Sequence, residues 1–514
     1  MLSQLNDCRS FIDVWERSSR EFADKTAFIH RGESFSYFET RNMVDSFAYA
    51  LLTDYEIKPG DRVGLVLKNG LSFIVSYLAC QKIRAVPVPF NTRMKGWQID
   101  SLLSFLKPSA VIVDASFQQV IEPLLRSHPY IHYRFGVGIP DPSWEGFEAL
   151  ASLGGSDDME FPEPQPEDIA TILFTSGTTG KPKGAIIRHK DLLWNMRITA
   201  KVFSFTTDDI HILAVPLFHC TGLESIFPTS VLWGSTCVLE EQISPSYLAD
   251  LIDETKATTF ITVPTTLYLM TSYGDLDVKK LSSLRLVGFS GSPIRKETVL
   301  KLASLLPDCE LVNFYGLTET TSIISACYRS DLLKSPGSIG RPLEEIRVAL
   351  GSDGVPEEGA SSGELLIRRE HIVSGYYSMP MELEGRIRDG WFRTGDLARV
   401  TPDGLIFLEG RNIDLIIVGG ENVLATEVED VLNSHPDVRD SAVVGIPNRI
   451  FGEVVKAYVV PKVPEAALAL EIKKFCSERL PSYKVPLEID FVREIPRSPS
   501  GKILKGLLKT EESK

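Results

Sequence analysis

The sequence predicts a multi-domain α/β protein whose sheets are mainly parallel. Three observations predict it. The chain has 514 residues, room for about three domains at ~100–200 residues each. Strand-like and helix-like stretches alternate along most of it. The pattern then resets near Gly410-Arg411, where a Gly-punctuated, hairpin-like stretch, PDGLIFLEGR, ends. No internal repeat with a period of about 20–50 residues competes with this reading.

The elements follow in order. DRVGLV (61–66) reads as a strand. SFIVSYLACQKI, after Gly70, places Phe73, Ile74, Tyr77 and Leu78 at helical spacing. AVPVPFN then reads as a second strand with a Pro-marked exit. From Ile139 to Asp168 there are nine acidic residues, no Lys or Arg, and five prolines. This reads as a solvated connection. ILFT then enters a Gly/Thr-rich loop. Beyond Arg411, DLIIVGG is strand-like, and EVEDVLNSH puts Val428, Val431 and Leu432 on one helical face.

Composition narrows function. Lys plus Arg is 54 and Asp plus Glu is 68, a net charge of −14. So acidic a chain lacks the basic field that general nucleic-acid binding needs. Hydrophobic residues are 43% and charged residues 24%, which excludes collagen-like, disordered and low-complexity classes. The seven cysteines are scattered and never spaced C-x-x-C. That argues against a disulfide framework or structural zinc. The start, MLSQLNDCRS, lacks a basic n-region and an apolar h-region, and no apolar run approaches the ~18 residues of a membrane span. A cytoplasmic protein with no integral membrane segment is expected, as a monomer or homodimer. Locally, residues 471–514 are basic, with ten Lys/Arg against seven Asp/Glu.

The most informative string is Thr175-Ser176-Gly177-Thr178-Thr179-Gly180-Lys181-Pro182-Lys183-Gly184. Glycines let backbone N–H groups approach an anion, hydroxyls add donors, and Lys181 or Lys183 adds charge. The string suits a polyphosphate, yet it is neither a Walker A loop nor a G-x-G-x-x-G fingerprint. It closely resembles the signature of the adenylate-forming superfamily: acyl-CoA synthetases, peptide-synthetase adenylation domains and beetle luciferases. There the loop grips the β- and γ-phosphates of ATP.

Further motifs occur in that superfamily's order through nearly the whole chain. In Asn313-Phe314-Tyr315-Gly316-Leu317-Thr318-Glu319, Tyr315 offers an aromatic face for adenine and Thr318 a hydroxyl. Glu319 offers a hard oxygen ligand for Mg²⁺. Phe289-Ser290-Gly291-Ser292-Pro293-Ile294 resembles the family segment that lines the adenine and acyl sites, with Phe289 and Ser290 departing from the usual Ser and Gly. Trp391-Phe392-Arg393-Thr394-Gly395-Asp396 matches W-x-x-T-G-D, which implies that Asp396 holds the ribose with Arg411 as second contact. Gly419-Gly420-Glu421-Asn422 resembles the loop that lines the thiol tunnel. Pro496-Arg497 through Gly501-Lys502 resembles the motif whose lysine bridges the carboxylate and the α-phosphate, making Lys502 the expected catalytic residue. Ile413 stands where the family hinge is usually Asp or Lys.

Pro216-Leu217-Phe218-His219-Cys220-Thr221-Gly222 resembles the acyl-CoA ligase form of another core motif. His219 is expected beside the acyl carboxylate and the pantetheine entrance. Amino-acid-activating relatives place an Asp where His219 stands, so an acid without an α-amino group is expected. Phe218, Cys220, Thr221, Gly222, Phe289, Ser290, Leu317 and Thr321 are the expected acyl-pocket residues. They are small, weakly polar or apolar, and they suit a neutral aliphatic or aryl acid.

The resemblance implies an ATP-dependent acid:CoA ligase working through acyl-AMP, with ATP, Mg²⁺ and coenzyme A. It also implies a fold of packed mixed sheets with a small barrel-like subdomain (1–410), followed by a mobile α+β domain (411–514). The alternatives are a free-standing adenylation enzyme that loads a carrier protein, a luciferase-type oxygenase and a non-catalytic sensor.

Overall fold

The computed structural model describes residues 2–153, 160–175, 183–272, 277–292, 294, 296–411, 415–462, 468–496, 505 and 508. The early elements form where the pattern puts them: a strand at Arg62–Val66, a helix at Leu71–Lys82 and a strand at Val86–Pro89. That helix is apolar on nearly every face and is buried almost all round, as such a helix must be. The two strands belong to an all-parallel five-stranded sheet. Parallel strands buried on both faces read as continuous apolar runs, and these do.

The acidic segment is more than a connection. It contributes the strand Glu145–Gly146 at the edge of this sheet and the helix Phe147–Ala151. Trp144, Phe147 and Ala151 are buried. The charge reading saw the solvated residues and missed the apolar ones between them.

A second sheet carries most of the cavity. Its parallel run comprises Thr236–Leu239, Ile210–Leu213, Thr259–Thr262, Leu286–Phe289 and Glu310–Leu317, side by side in that order. Glu310–Leu317 then pairs antiparallel with Ser322–Tyr328. The sheet runs on through Ser338–Pro342 into an antiparallel meander of Ile406–Arg411, Trp391–Val400, Ser362–Arg368 and Val348–Ser352. This meander occupies the place of the small barrel-like unit. Among the described residues its pairing path stays open and continuous with the central sheet. One consequence is that the Tyr315 strand and the Asp396 strand belong to a single hydrogen-bonded surface.

The C-terminal part builds a separate mixed sheet. Glu421–Leu424, Leu415–Val418, Gly452–Pro461 and Val438–Asn448 lie in that order, and Glu488–Phe491 pairs with Gly452–Pro461. The helices Ala425–Asn433 and Leu468–Arg479 cover it, burying Val428, Leu432, Ile472 and Cys476 in a core of their own. Each fully buried side chain of this kind is worth about 1.5–3 kcal/mol. No helix among the described residues is long and apolar enough to cross a membrane.

Candidate active site

The parallel strands deliver their carboxyl ends to a cavity of 480 Å³, the usual ligand position in such sheets. Thr262, Ser290 and Gly316 leave their strands there, and Phe218 to Thr221 form a further wall. Asn69 fixes that wall. Its Oδ1 accepts from Leu217 N at 2.8 Å, and its Nδ2 donates to Val215 O at 2.9 Å. A short 3₁₀ turn, Thr318–Thr320, ends the Glu310–Leu317 strand, and Thr318 and Glu319 line the cavity. Thr321 follows in the left-handed region with φ 53°, a costly conformation for a β-branched residue and one found chiefly at functional sites.

Glu319 is held firmly. Its Oε1 accepts from Tyr376 Oη and lies 3.3 Å from Arg386 Nη1. Both bonds fall on Oε1, which leaves Oε2 for a further ligand. Burial first, and then the Glu319 charge, push the Tyr376 phenol far above its ordinary range, so it remains a donor. The carboxylate, with a guanidinium beside it, fits one oxygen ligand to a Mg²⁺ that is otherwise held by phosphates and water. Among the described residues no group of three or more His, Cys, Asp or Glu forms a metal cage.

Thr175 and Lys183, at the two ends of the Gly/Thr loop, both line the cavity. Lys183 Nζ donates to Glu382 Oε2 at 2.6 Å and sits 5.7 Å from the Tyr376 ring centre. Ser176, Gly177, Thr178, Thr179, Gly180, Pro293 and Lys502 lie outside the described residues. So does Ile413, and only the backbone of Arg411 is described. Asp396 is buried and accepts a hydrogen bond from Tyr315 Oη. The Asp396 position pairs with Arg411 across the meander. Asn313 Nδ2 donates to Ser338 O at 2.7 Å, a bond that ties the central sheet to the meander.

The cavity reaches some of the expected acyl-pocket residues and not others. Phe218, Cys220, Thr221, Ser290, Gly291 and Leu317 line the cavity. Phe289 does not. Side chains alternate along a strand, and Phe289 turns into the helix-side core with Phe260 and Leu267, leaving Ser290 to face the cavity. Gly222 and Thr321 are buried behind the wall rather than on it, and Ser292 and Gly419 are not lining residues. Cys220 receives a weak bond from Thr318 Oγ1 at 3.8 Å. Burial, and next the Glu224 charge, push its thiol up to about 12.

The C-terminal sheet closes the other side. The Gly419-Gly420 turn, with φ of 58° and 88°, brings Gly420, Glu421 and Asn422 to the cavity. A Cβ on Gly420 would stand 3.1 Å from Val263 Cγ1. Glu421 is buried, lies 3.5 Å from His219 Nε2 and accepts from Arg93 Nη1. Burial alone would raise its pKa, but His219 and then Arg93 hold it below the ordinary carboxylate value. Trp97 Nε1 donates to Arg479 O at 2.6 Å, and Gln98 Nε2 to Glu427 Oε1 at 3.3 Å. Sequence reading missed Tyr376, Arg386, Asn69 and Arg93. Only Arg93 carried a signal, since it follows the carboxyl end of a parallel strand.

The AMP-binding enzyme model matches residues 15–377, and the model of the AMP-binding enzyme C-terminal domain matches residues 427–502. The chain belongs to the AMP-binding enzyme family. Among curated relatives of this AMP-binding enzyme, the indoleacetate–CoA ligase of Aromatoleum aromaticum is 30% identical over 94% of both chains. A feruloyl-CoA synthase from Amycolatopsis is 31% identical, covering 95% of this chain and 96% of its own. Among solved structures, a double mutant of the Bacillus subtilis o-succinylbenzoate CoA synthetase, bound with its product analogue, matches with a TM-score of 0.84, 26% identity and 98% coverage of both chains. The same synthetase in complex with its acyl-adenylate intermediate matches at 0.70, again with 26% identity and 98% coverage of both. This AMP-binding enzyme lies in the acyl-CoA synthetase branch and is an acid–thiol ligase of the AMP-forming type.

Proposed function

We propose that this ligase activates a carboxylic acid lacking an α-amino group, neutral apart from its carboxylate, and passes the acyl group to CoA. The observation that carries the reading is that one cavity brings the expected parts together. It gathers Thr175, Lys183, Thr318 and Glu319 on one side, and Phe218 to Thr221 on another, opposite Gly420 and Glu421.

In the first half-reaction a carboxylate oxygen attacks the α-phosphorus of ATP, and pyrophosphate leaves. Lys502 bridges the carboxylate and the α-phosphate, where a positioned cation counts most as charge redistributes. Residues 175–183 hold the β- and γ-phosphates. Tyr315 stacks on adenine beside the Gly291–Pro293 backbone, and Asp396 with Arg411 holds the ribose. Glu319 and Thr318 orient the phosphates, and a magnesium ion at Glu319 would neutralise their charge. In the second half-reaction the CoA sulfur attacks the acyl carbon, AMP leaves, and the thiol proton passes to solvent or a nearby base. Gly420 and His219 line the thiol's approach, with Gly419 shaping the turn that presents Gly420.

The domains divide at 410/411 in this reading, and the C-terminal domain swings between the steps. The two B. subtilis complexes support that. The matched enzyme is the same apart from two substitutions, and a different domain placement in its two complexes would account for the gap between 0.84 and 0.70. In this reading the present arrangement, which matches the product-analogue complex better, corresponds to the thioester-forming one.

Loading of a carrier protein is not favoured, since the relatives are named CoA ligases. The decisive experiment is a CoA-dependent AMP-release screen over short, medium, long and aryl acids, repeated with a carrier protein in place of CoA. Lys502→Ala is expected to lose pyrophosphate exchange by orders of magnitude while still making thioester from supplied acyl-adenylate. Near-normal exchange would overturn the role given to Lys502.

A further inference from the structure

Lys183 reaches the cavity as a charge that is already paired. Its side chain is 6% exposed, and its Nζ donates to Glu382 Oε2 at 2.6 Å. The same Nζ lies 5.7 Å from the Tyr376 ring centre, within cation–π range. Tyr376 Oη in turn donates to Glu319 Oε1. One tyrosine therefore separates the ammonium from the carboxylate assigned to magnesium. Lys183 and Glu319 both line the cavity, so a phosphate chain lying along that ring meets both. Glu382 is not a lining residue; its side chain is 45% exposed and approaches Lys183 from the solvent side.

The fold holds Glu382 at that place. Gly375 to Tyr377 run antiparallel along the Lys183–Arg188 strand: Tyr377 N donates to Gly184 O at 2.7 Å, and Ile186 N to Gly375 O at 3.0 Å. The chain then enters the short helix Pro380–Glu384, anchored by Leu383, which is 0% exposed. One segment thus presents Tyr376 to Glu319 and Glu382 to Lys183. The bond from Lys183 holds the Glu382 carboxyl below its ordinary range, so it is an anion at neutral pH.

A buried ammonium is costly without a counter-charge. Glu382 supplies one whether or not a phosphate is bound. A phosphate oxygen that takes Lys183 must share it with this carboxylate, and two anions across one cation repel each other. We infer that Glu382 sets the site's grip on polyphosphate: it competes with the β- and γ-phosphates for Lys183, loosens the hold on ATP and speeds the departure of pyrophosphate. As pyrophosphate leaves, Lys183 returns to a full ion pair, so no buried charge is stranded. AMP has no β- or γ-phosphate and does not feel the competition. The inference rests on the acid:CoA ligase reading and deepens it, by naming the residue that governs release of the first product.

The test is isothermal titration of the full-length enzyme with Mg·pyrophosphate, Mg·ATP and AMP, without acid or CoA. Glu382→Gln keeps an acceptor for Lys183 and removes the charge. It is expected to bind Mg·pyrophosphate and Mg·ATP about fivefold more tightly, the weight of a half-exposed ion pair. Its affinity for AMP changes by less than about twofold, which a merely structural disturbance of the site would not spare. Glu382→Asp, which keeps the charge, stays close to wild type. In a Lys183→Gln background the further change Glu382→Gln shifts pyrophosphate affinity by less than about twofold, because the competition runs through that lysine. With an acid that supports AMP release, pyrophosphate inhibits Glu382→Gln at about one-fifth of the concentration that inhibits wild type.

Pyrophosphate binding that is unchanged or weaker in Glu382→Gln overturns the inference. Should that variant fail to fold, Glu382→Ala decides it by the same measure. Equal tightening toward AMP, or the full gain without Lys183, overturns it as well. If wild type binds neither Mg·ATP nor Mg·pyrophosphate, the nucleotide reading fails and the inference falls with it. If both bind and the acid screen yields no AMP, the ligase reading alone fails, and the titrations still decide the role of Glu382.

Discussion

Glu319 takes both of its side-chain bonds on one oxygen, from Tyr376 and Arg386, so in the proposed mechanism these two are its positioning residues. Tyr376→Phe or Arg386→Gln frees the carboxylate to rotate. Each is expected to lower ATP–pyrophosphate exchange by about 10–100-fold, the usual range for losing such an outer partner. The magnesium concentration needed for half-maximal exchange rises with it. A merely structural role would lower the unfolding temperature and leave the magnesium requirement unmoved. Glu319 and Thr318 were legible because they sit in a short contiguous motif. Tyr376 and Arg386 come from 57 and 67 positions further along, and a contact made through the fold leaves no spacing to read. Phe289 shows the opposite failure. The motif put it at the pocket wall, and strand alternation turned it into the core.

At the scale of single elements, the Gly419-Gly420 turn constrains the face of the cavity that the C-terminal sheet closes. Gly420 has φ 88°, and an added Cβ would press on Val263 Cγ1 at 3.1 Å. Gly420→Ala pays for a left-handed alanine as well as that contact. It is expected to slow thioester formation from supplied acyl-adenylate by about tenfold, ~1.4 kcal/mol. Adenylation, which the proposed mechanism runs with the turn swung away, changes by less than about twofold. Rapid-quench measurement of each half-reaction separates the two. The strands and helices of the first sheet were legible because an all-buried parallel strand and an all-buried helix are both written as apolar runs of different length. The acidic stretch was only half legible. Among the described residues its surface charges include Glu163 with Arg9 and Glu167 with Lys190, and they mask the buried Trp144 and Phe147.

For the whole molecule, two buried histidines set the response to acid. His189 accepts from Phe11 N at 3.3 Å, and the His211 ring lies between Thr259 Oγ1 and Ser235 Oγ at 2.6 and 2.9 Å. Burial lowers both to about 4, from an ordinary value of 6.5. Between those values the unfolded chain binds more protons than the folded one, so stability falls as pH falls. The loss is about 1.4 kcal/mol per pH unit for each histidine. Urea midpoints at pH 7 and pH 5 should differ accordingly, and His211→Gln should flatten the slope. Asp209 works in a lower window. Burial opposes its charge, but Arg285 holds it at about 2. Its contribution is present above the ordinary 3.8 and is lost as pH falls through about 2. The architecture was legible at this scale through the order of motifs. The docking of the two parts was not, because Arg93, Trp97 and Gln98 belong to no quoted string.

The Arg93–Glu421–His219 contact bears on the order in which substrates arrive. Glu421 carries a depressed pKa, so its stabilising charge persists below the ordinary carboxylate range and is lost only as pH falls through that lower value. In the proposed mechanism, at neutral pH this clasp favours the arrangement for the second half-reaction. Arg93→Ala, removing a half-exposed partner, costs about 1 kcal/mol of that preference and slows thioester formation roughly fivefold. CoA that arrives before ATP would deepen the same preference by mass action. The enzyme should therefore show substrate inhibition: excess CoA slows pyrophosphate exchange, Mg·ATP relieves it, and Arg93→Ala weakens it.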